Sequence, residues 1–187
     1  MKNTYPTPSQ AKPENLQYGL DVIAKFCKVN KIKLPKFKDN SKICEYGFYL
    51  FGSSTITYNL KRSRVPVKTP GFSWSYTGYK ADLTVAGVLA HEFGHYLDDT
   101  LKMPSKKIKK EIGKEKKVSS YEPNTMEVFA ESVKLFVLNP DLLRVGRPKR
   151  YKFLIALGLK PVIADTWQTV LGNAHPKFIA AATNWAK

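Results

Sequence analysis

Apolar residues fall along the chain in blocks whose period switches from helical to alternating and back to helical. Leu16, Leu20, Ile23 and Cys27 recur every three or four positions, which puts them on one face of an α-helix. Pro13 suits the first turn of that helix, which should run to about Asn30. A Lys-rich connector occupies residues 31–42. Residues 43–51 and 55–60 are strand-like and flank Gly52-Ser53-Ser54, the pattern of a β-hairpin with a short loop. An edge left exposed on such a hairpin can pair with an extended peptide. Between 61 and 80, Pro66, Pro70, Gly71 and Gly78 interrupt regular structure. Trp74, Tyr76 and Tyr79 make this a long ordered loop whose aromatics either wall a cleft or cover the core.

Residues 81–99, ADLTVAGVLAHEFGHYLDD, differ from everything before them. Leu83, Val85, Ala86, Val88, Leu89, Ala90, Phe93 and Leu97 clothe nearly the whole circumference, with Asp82 as the candidate N-cap. A helix that is apolar all round is buried, so each polar group on it needs a partner or a task. Gly94 costs about 1 kcal/mol relative to Ala in a helix interior and implies a close contact with another element; Gly87 on the same stripe reads likewise. Residues 102–120 hold eight lysines and predict a short exposed helix or a mobile segment. Residues 124–138, NTMEVFAESVKLFVL, form a second apolar helix, capped by Asn124 and stopped at Asn139-Pro140. Beyond it, basic clusters from Arg144 to Lys152 alternate with helical runs near 151–157, 161–171 and 176–186, read as a helical cap. The pattern predicts one α+β domain over residues 13–187 after a flexible arm at 1–12. Its expected parts are a small antiparallel sheet, an edge strand beside a buried helix, and a mostly helical C-terminal half.

Composition narrows the class. A chain of 187 residues supports one substantial core, and 43% hydrophobic content excludes a disordered chain. Cys27 and Cys44 have no metal-like spacing and read as buried free thiols of a reducing compartment. No apolar stretch approaches 18 residues and the N-terminus has no apolar core, so the expectation is a cytoplasmic protein without signal peptide or membrane span. The net charge of +16 implies a positive field that can gather nucleic acid, anionic surfaces or acidic proteins. Lys supplies most of it, as hydrated point charge, and Arg, which reads guanine edges, is scarce. Nucleic acid would then be held by its backbone without sequence choice. A solvated Lys-rich surface accounts for the charge equally well.

The buried helix carries the candidate chemistry. His91, Glu92, Phe93, Gly94 and His95 form H-E-x-x-H, which puts two imidazoles one turn apart on one face with a carboxylate beside them. Zn²⁺ suits this set, with Glu92 positioned as general base toward a metal-activated water. A pair of hydrogen-bonded core histidines is the alternative. A catalytic zinc needs a third protein ligand. Glu127 and Glu131 lie one turn apart on the second apolar helix, and inward-facing carboxylates there require a cation or donors. Zinc would serve Glu127, and the free N–H of a ligating His would serve Glu131. A capping box with Asn124 explains Glu127 as well, but leaves Glu131 unexplained. Asp98 and Asp99 read as outer partners of the histidines, and His175 is a distant third-ligand candidate.

HEFGHYLDD followed by EVFAES resembles the gluzincin metallopeptidases, in particular catalytic domains of the anthrax lethal factor type; similar motif pairs occur in peptidase domains of phages and mobile elements. The resemblance spans roughly residues 85–138 and implies a zincin-like fold; by the same analogy with zinc peptidases, the strand at 55–60 before the metal helix is expected to present an edge to extended substrate. It further implies His91, His95 and Glu127 as zinc ligands, Glu92 as general base and Tyr121 as the phenol steadying the oxyanion. Should Tyr121 be misplaced, Tyr96 is the alternative donor. Tyr121 stands one residue closer to Glu127 than in that pattern. The function expected on this basis is zinc-dependent peptide-bond hydrolysis. Two alternatives stand beside it: a basic peptidase acting on DNA-bound proteins, and a non-catalytic zincin-fold binding protein.

Overall fold

The computed structural model describes residues 13–63 and 83–162, with the backbone alone for 13–15. The N-terminal arm, the loop over 64–80, Asp82, His175 and all but the first two residues of the last two helical runs lie outside the described residues. Among the described residues the chain forms six α-helices and one three-stranded mixed sheet, an α+β arrangement that is mostly helical.

Helix α1 (Pro13–Asn30) and the buried helix α2 (Val85–Thr100) meet at Gly19, where an added Cβ would stand 3.1 Å from the Ala86 Cα. Phe26 of α1 is fully buried, with its ring edge-on to Phe93 of α2 and to Phe136 of α4 (Thr125–Leu138). α2 and α4 form the central pair. Gly94 is the reason they come so close: a Cβ there would lie 2.6 Å from the Ala130 Cα. That contact overrides the intrinsic preference for Ala over Gly in a helix. The cap of α2 is Thr84, whose Oγ1 accepts the Gly87 N–H at 3.0 Å, rather than Asp82. Asn124 caps α4 as expected, its Oδ1 accepting the Glu127 N–H.

The sheet departs from the expected hairpin in one respect. β2 (Gly47–Tyr49) and β3 (Thr55–Tyr58) pair antiparallel, but β1 (Lys36–Asp39), within the Lys-rich connector, adds to β3 in parallel. The order β1-β3-β2 makes the sheet mixed and puts β3 at its centre, so the expected edge at residues 55–60 is corrected. The edge strand beside α2 is β2. Gly47 permits this approach, because a Cβ there would meet Val88 Cγ1 at 2.8 Å and Glu92 Cγ at 3.1 Å. The residues of β1 hardly alternate in burial, only Phe37 turning partly inward between exposed lysines, so periodicity does not reveal this strand.

The Lys-rich segment contains α3 (Ser105–Ile112), with Ile108 and Ile112 buried under exposed lysines. Asn139, which ends α4, also caps α5 (Pro140–Gly146) by accepting the Leu142 N–H. Helix α6 (Pro148–Ala156) starts within the basic cluster. Arg147 and Arg150 from that cluster are buried, which sequence periodicity did not anticipate. Cys27 is buried and Cys44 is exposed, both free, so the expectation of two buried thiols holds for Cys27 alone. Among the described residues no helix is long and apolar enough to cross a membrane.

Candidate metal centre

Three potential ligand atoms converge between α2 and α4. His91 Nε2 and His95 Nε2 are 3.2 Å apart, and Glu127 Oε2 lies 3.1 Å from the first and 3.5 Å from the second. Four-coordinate zinc with bonds near 2.0–2.1 Å places its ligand atoms about 3.3 Å apart, so the triangle has the size of one tetrahedral face. Among the described residues this is the one cluster of three such groups.

The hydrogen bonding around the triangle is one-sided. Glu131, fully enclosed on α4, takes His91 Nδ1 at 2.8 Å. An ionised carboxylate only accepts, so Nδ1 carries the proton and a neutral His91 turns the lone pair of Nε2 toward the triangle. Glu127 Oε2 is buried with no directed hydrogen bond, since its approach to the imidazoles is ionic contact without donor alignment. A buried carboxylate oxygen left in that state is costly, and a cation at the centre of the triangle removes the cost. The donor set of two imidazole nitrogens and one carboxylate oxygen fits zinc. The Asn124 cap therefore does not exhaust Glu127: its backbone N–H serves the cap and its side chain serves the cluster.

In the metal-free chain a proton partly does a cation's work. Burial alone would lower the pKa of His91, but Glu127 and Glu131 outweigh it and raise it to about 10. Burial opposes ionisation of both glutamates as well. His91 and His95 nevertheless bring Glu127 to about 2, and Lys134 with His91 brings Glu131 to about 2.

Glu92 is buried beside the cluster, against β2, where the Tyr49 N–H reaches its carboxylate. Burial raises its pKa above the ordinary carboxylate range, with the two histidines opposing. It lines a cavity of about 320 Å³ with Tyr46, Gly47, Leu83, Val88 and Tyr121. The Tyr121 side chain is half exposed, with its ring 5.6 Å from that of His91. Its phenol pKa is raised by burial and then by Glu127, Glu92 and Glu131, which keeps it a hydrogen-bond donor.

Other expectations fail at this site. Asp98 and Asp99 do not reach the histidines. Asp98 accepts the Ser105 N–H and Oγ–H at 2.9 and 2.6 Å, tying α2 to α3. Asp99 accepts the Tyr49 hydroxyl and the Gly52 N–H, tying α2 to the β2–β3 loop. Tyr96 is no substitute for Tyr121, because its hydroxyl is spent on the Lys33 carbonyl.

Two supporting residues were not foreseen. Lys134 donates to Glu131 at 2.7 Å from a fully buried position. Arg150 reaches both oxygens of Glu122 and the Ser132 hydroxyl, while Glu122 accepts the Val118 N–H at 2.7 Å, so this group secures the loop that carries Tyr121. The lysine left a faint signal, a single positive charge in an apolar helix three residues after Glu131. The arginine left none, because it belongs to an ordinary basic cluster. No protein-family model matches this chain, and no curated protein or solved structure is significantly similar to it.

Proposed function

We propose that this protein is a zinc-dependent metallopeptidase of zincin type, with His91, His95 and Glu127 as ligands and Glu92 as general base. The observation that carries the reading is the triangle of ligand atoms, sized for zinc and closed by an orphaned buried carboxylate oxygen. When bound, zinc supplies Lewis acidity, polarising a substrate carbonyl and acidifying water at neutral pH.

The chain's own groups do the rest. Glu92, raised in pKa by burial, accepts a proton from the attacking water and holds it for the leaving amine. Tyr121 offers a phenolic donor at the cavity mouth toward the oxygen that gains charge. Leu83, Val88 and Tyr46 give the cavity apolar walls suited to a substrate side chain. Among the described residues β2 has no strand partner on its outer side, and that edge is suited to hold an extended peptide. A purely structural metal site would have no use for Glu92, a carboxylate buried at a cost within the same cavity.

The test compares wild type with Glu92→Gln. Metal analysis by mass spectrometry should find equimolar zinc in both proteins. Cleavage of an unfolded protein substrate, read as new termini, should occur with wild type alone. Cleavage by the variant, or wild-type protein unable to bind zinc, would overturn the reading.

A further inference from the structure

We propose that Lys134 is a positioning residue for the metal site, holding Glu131 so that its carboxylate fixes the ring and tautomer of His91. The inference rests on the zinc reading above and assigns a role to a residue two steps behind the ligands.

Glu131 uses its two oxygens separately. Oε1 faces His91 Nδ1 at 2.8 Å and Oε2 receives the Lys134 ammonium at 2.7 Å. Bridged between them, the carboxylate has its plane and rotamer set from both ends. His91 inherits that setting: with Nδ1–H committed to Glu131, it is Nε2 that faces His95 Nε2 and Glu127 Oε2. Outer partners of this kind orient a ligating imidazole and raise its basicity toward the metal.

Packing does not explain the lysine. Its side chain is about 1% exposed, between Val133 and Leu135 on a helix that buries nearly every residue from Val128 to Leu138. An apolar residue of similar length would pack there without desolvating a charge, and swapping buried ion pairs for apolar groups is often neutral or stabilising. The pair joins residues three apart on one helix, so it ties no distant elements together. What the ammonium does offer is local neutralisation. Glu92, Glu127 and Glu131 crowd one site, and without Lys134 the buried Glu131 Oε2 would lose its donor. The carboxylate would then be free to turn, and His91 would lose its fixed acceptor.

The experiment is a double-mutant cycle on zinc affinity, measured on folded protein by competition with a chromophoric chelator. The proteins are wild type, Lys134→Met, Glu131→Gln and the double variant, with the His91 tautomer followed by ¹⁵N NMR. Lys134→Met should weaken zinc binding about 10–100-fold, the usual range for an outer partner. The same change on top of Glu131→Gln should cost nothing further, because Gln can still accept from Nδ1–H and no charge is left to neutralise. Should Lys134→Met not fold, Lys134→Gln keeps a donor to Glu131 and should show a smaller loss with the tautomer retained. Equal zinc affinity in wild type and the lysine variants, or an equal loss with and without Glu131, would overturn the proposal. Wild type failing to bind zinc would remove both this inference and the reading beneath it, and that control is separate from the variants.

Discussion

Two pairs of acidic residues meet different fates. Glu127 and Glu131 stand one turn apart on α4, and both reach His91 across the α2–α4 contact. Asp98 and Asp99 are neighbours at the end of α2, and they part: one binds Ser105 at the start of α3, the other Tyr49 of β2 and Gly52 of the loop that follows it. Helix geometry accounts for the contrast. Residues four apart share a face, whereas adjacent residues point about 100° apart and are served by different neighbours. A pair spaced i, i+4 can build one site, while an adjacent pair is better placed to anchor the helix to two elements. The first pair sits where two helices close on each other; the second sits where α2 must be fastened at its end.

If this division is right, the largest effect belongs to Glu127→Gln. It should cost more zinc affinity than the roughly 10–100-fold typical of an outer partner, and it should also lower the melting temperature of metal-free protein at neutral pH, because the contact with His91 is lost. Chelator competition and calorimetry check the two halves.

The next effect is one of pH. With His91 raised from 6.5 to about 10, its contribution to the metal-free fold is complete below about 6.5 and fades as pH climbs to about 10. Glu127 and Glu131, lowered from 4.5 to about 2, contribute fully above about 4.5 and lose their contribution as pH falls toward 2. The melting temperature in chelator should therefore peak between those limits and decline on both sides. Zinc bound at the proposed site would replace the His91 proton, so loaded protein should hold its melting temperature above pH 7. Zinc uptake at pH 7 should release about one proton, measured by calorimetry in buffers of different ionisation enthalpy. No proton release would break the assignment of His91.

Gly94→Ala tests the closeness on which the glutamate pair depends. Ala gains about 1 kcal/mol of helix propensity, but its Cβ would stand 2.6 Å from the Ala130 Cα, and overpacking costs about 1–3 kcal/mol before the helices part. The expected net result is a lower denaturation midpoint together with weaker zinc binding.

The aspartates should act on stability alone. Asp98→Ala leaves the Ser105 N–H and hydroxyl buried without their acceptor, for about 1–3 kcal/mol. Asp99→Ala, at a more open position, should cost about 0.5–1.5 kcal/mol. Zinc affinity should be unchanged in both, and a drop in either would return that aspartate to the metal site.

How much of this was legible beforehand follows the range of the forces involved. The apolar circumference of α2, the H-E-x-x-H spacing, the Asn124 cap and the one-turn interval between Glu127 and Glu131 are local properties of a 3.6-residue repeat. They can be read without knowing what lies opposite. Gly94 announced a close contact through its propensity cost, although not with which residue.

Other features needed the third dimension. β1 is defined by its pairing with β3 some twenty positions away, and its own residues hardly alternate in burial. The inward turn of Arg147 and Arg150, the destinations of Asp98 and Asp99, and the choice of β2 as the edge beside α2 all depend on which elements end up adjacent. Residue order alone supplies the candidate ligand groups and their spacing along each helix. Their convergence to 3.1–3.5 Å of one another is a tertiary property, because it depends on how closely Gly94 lets two helices pack.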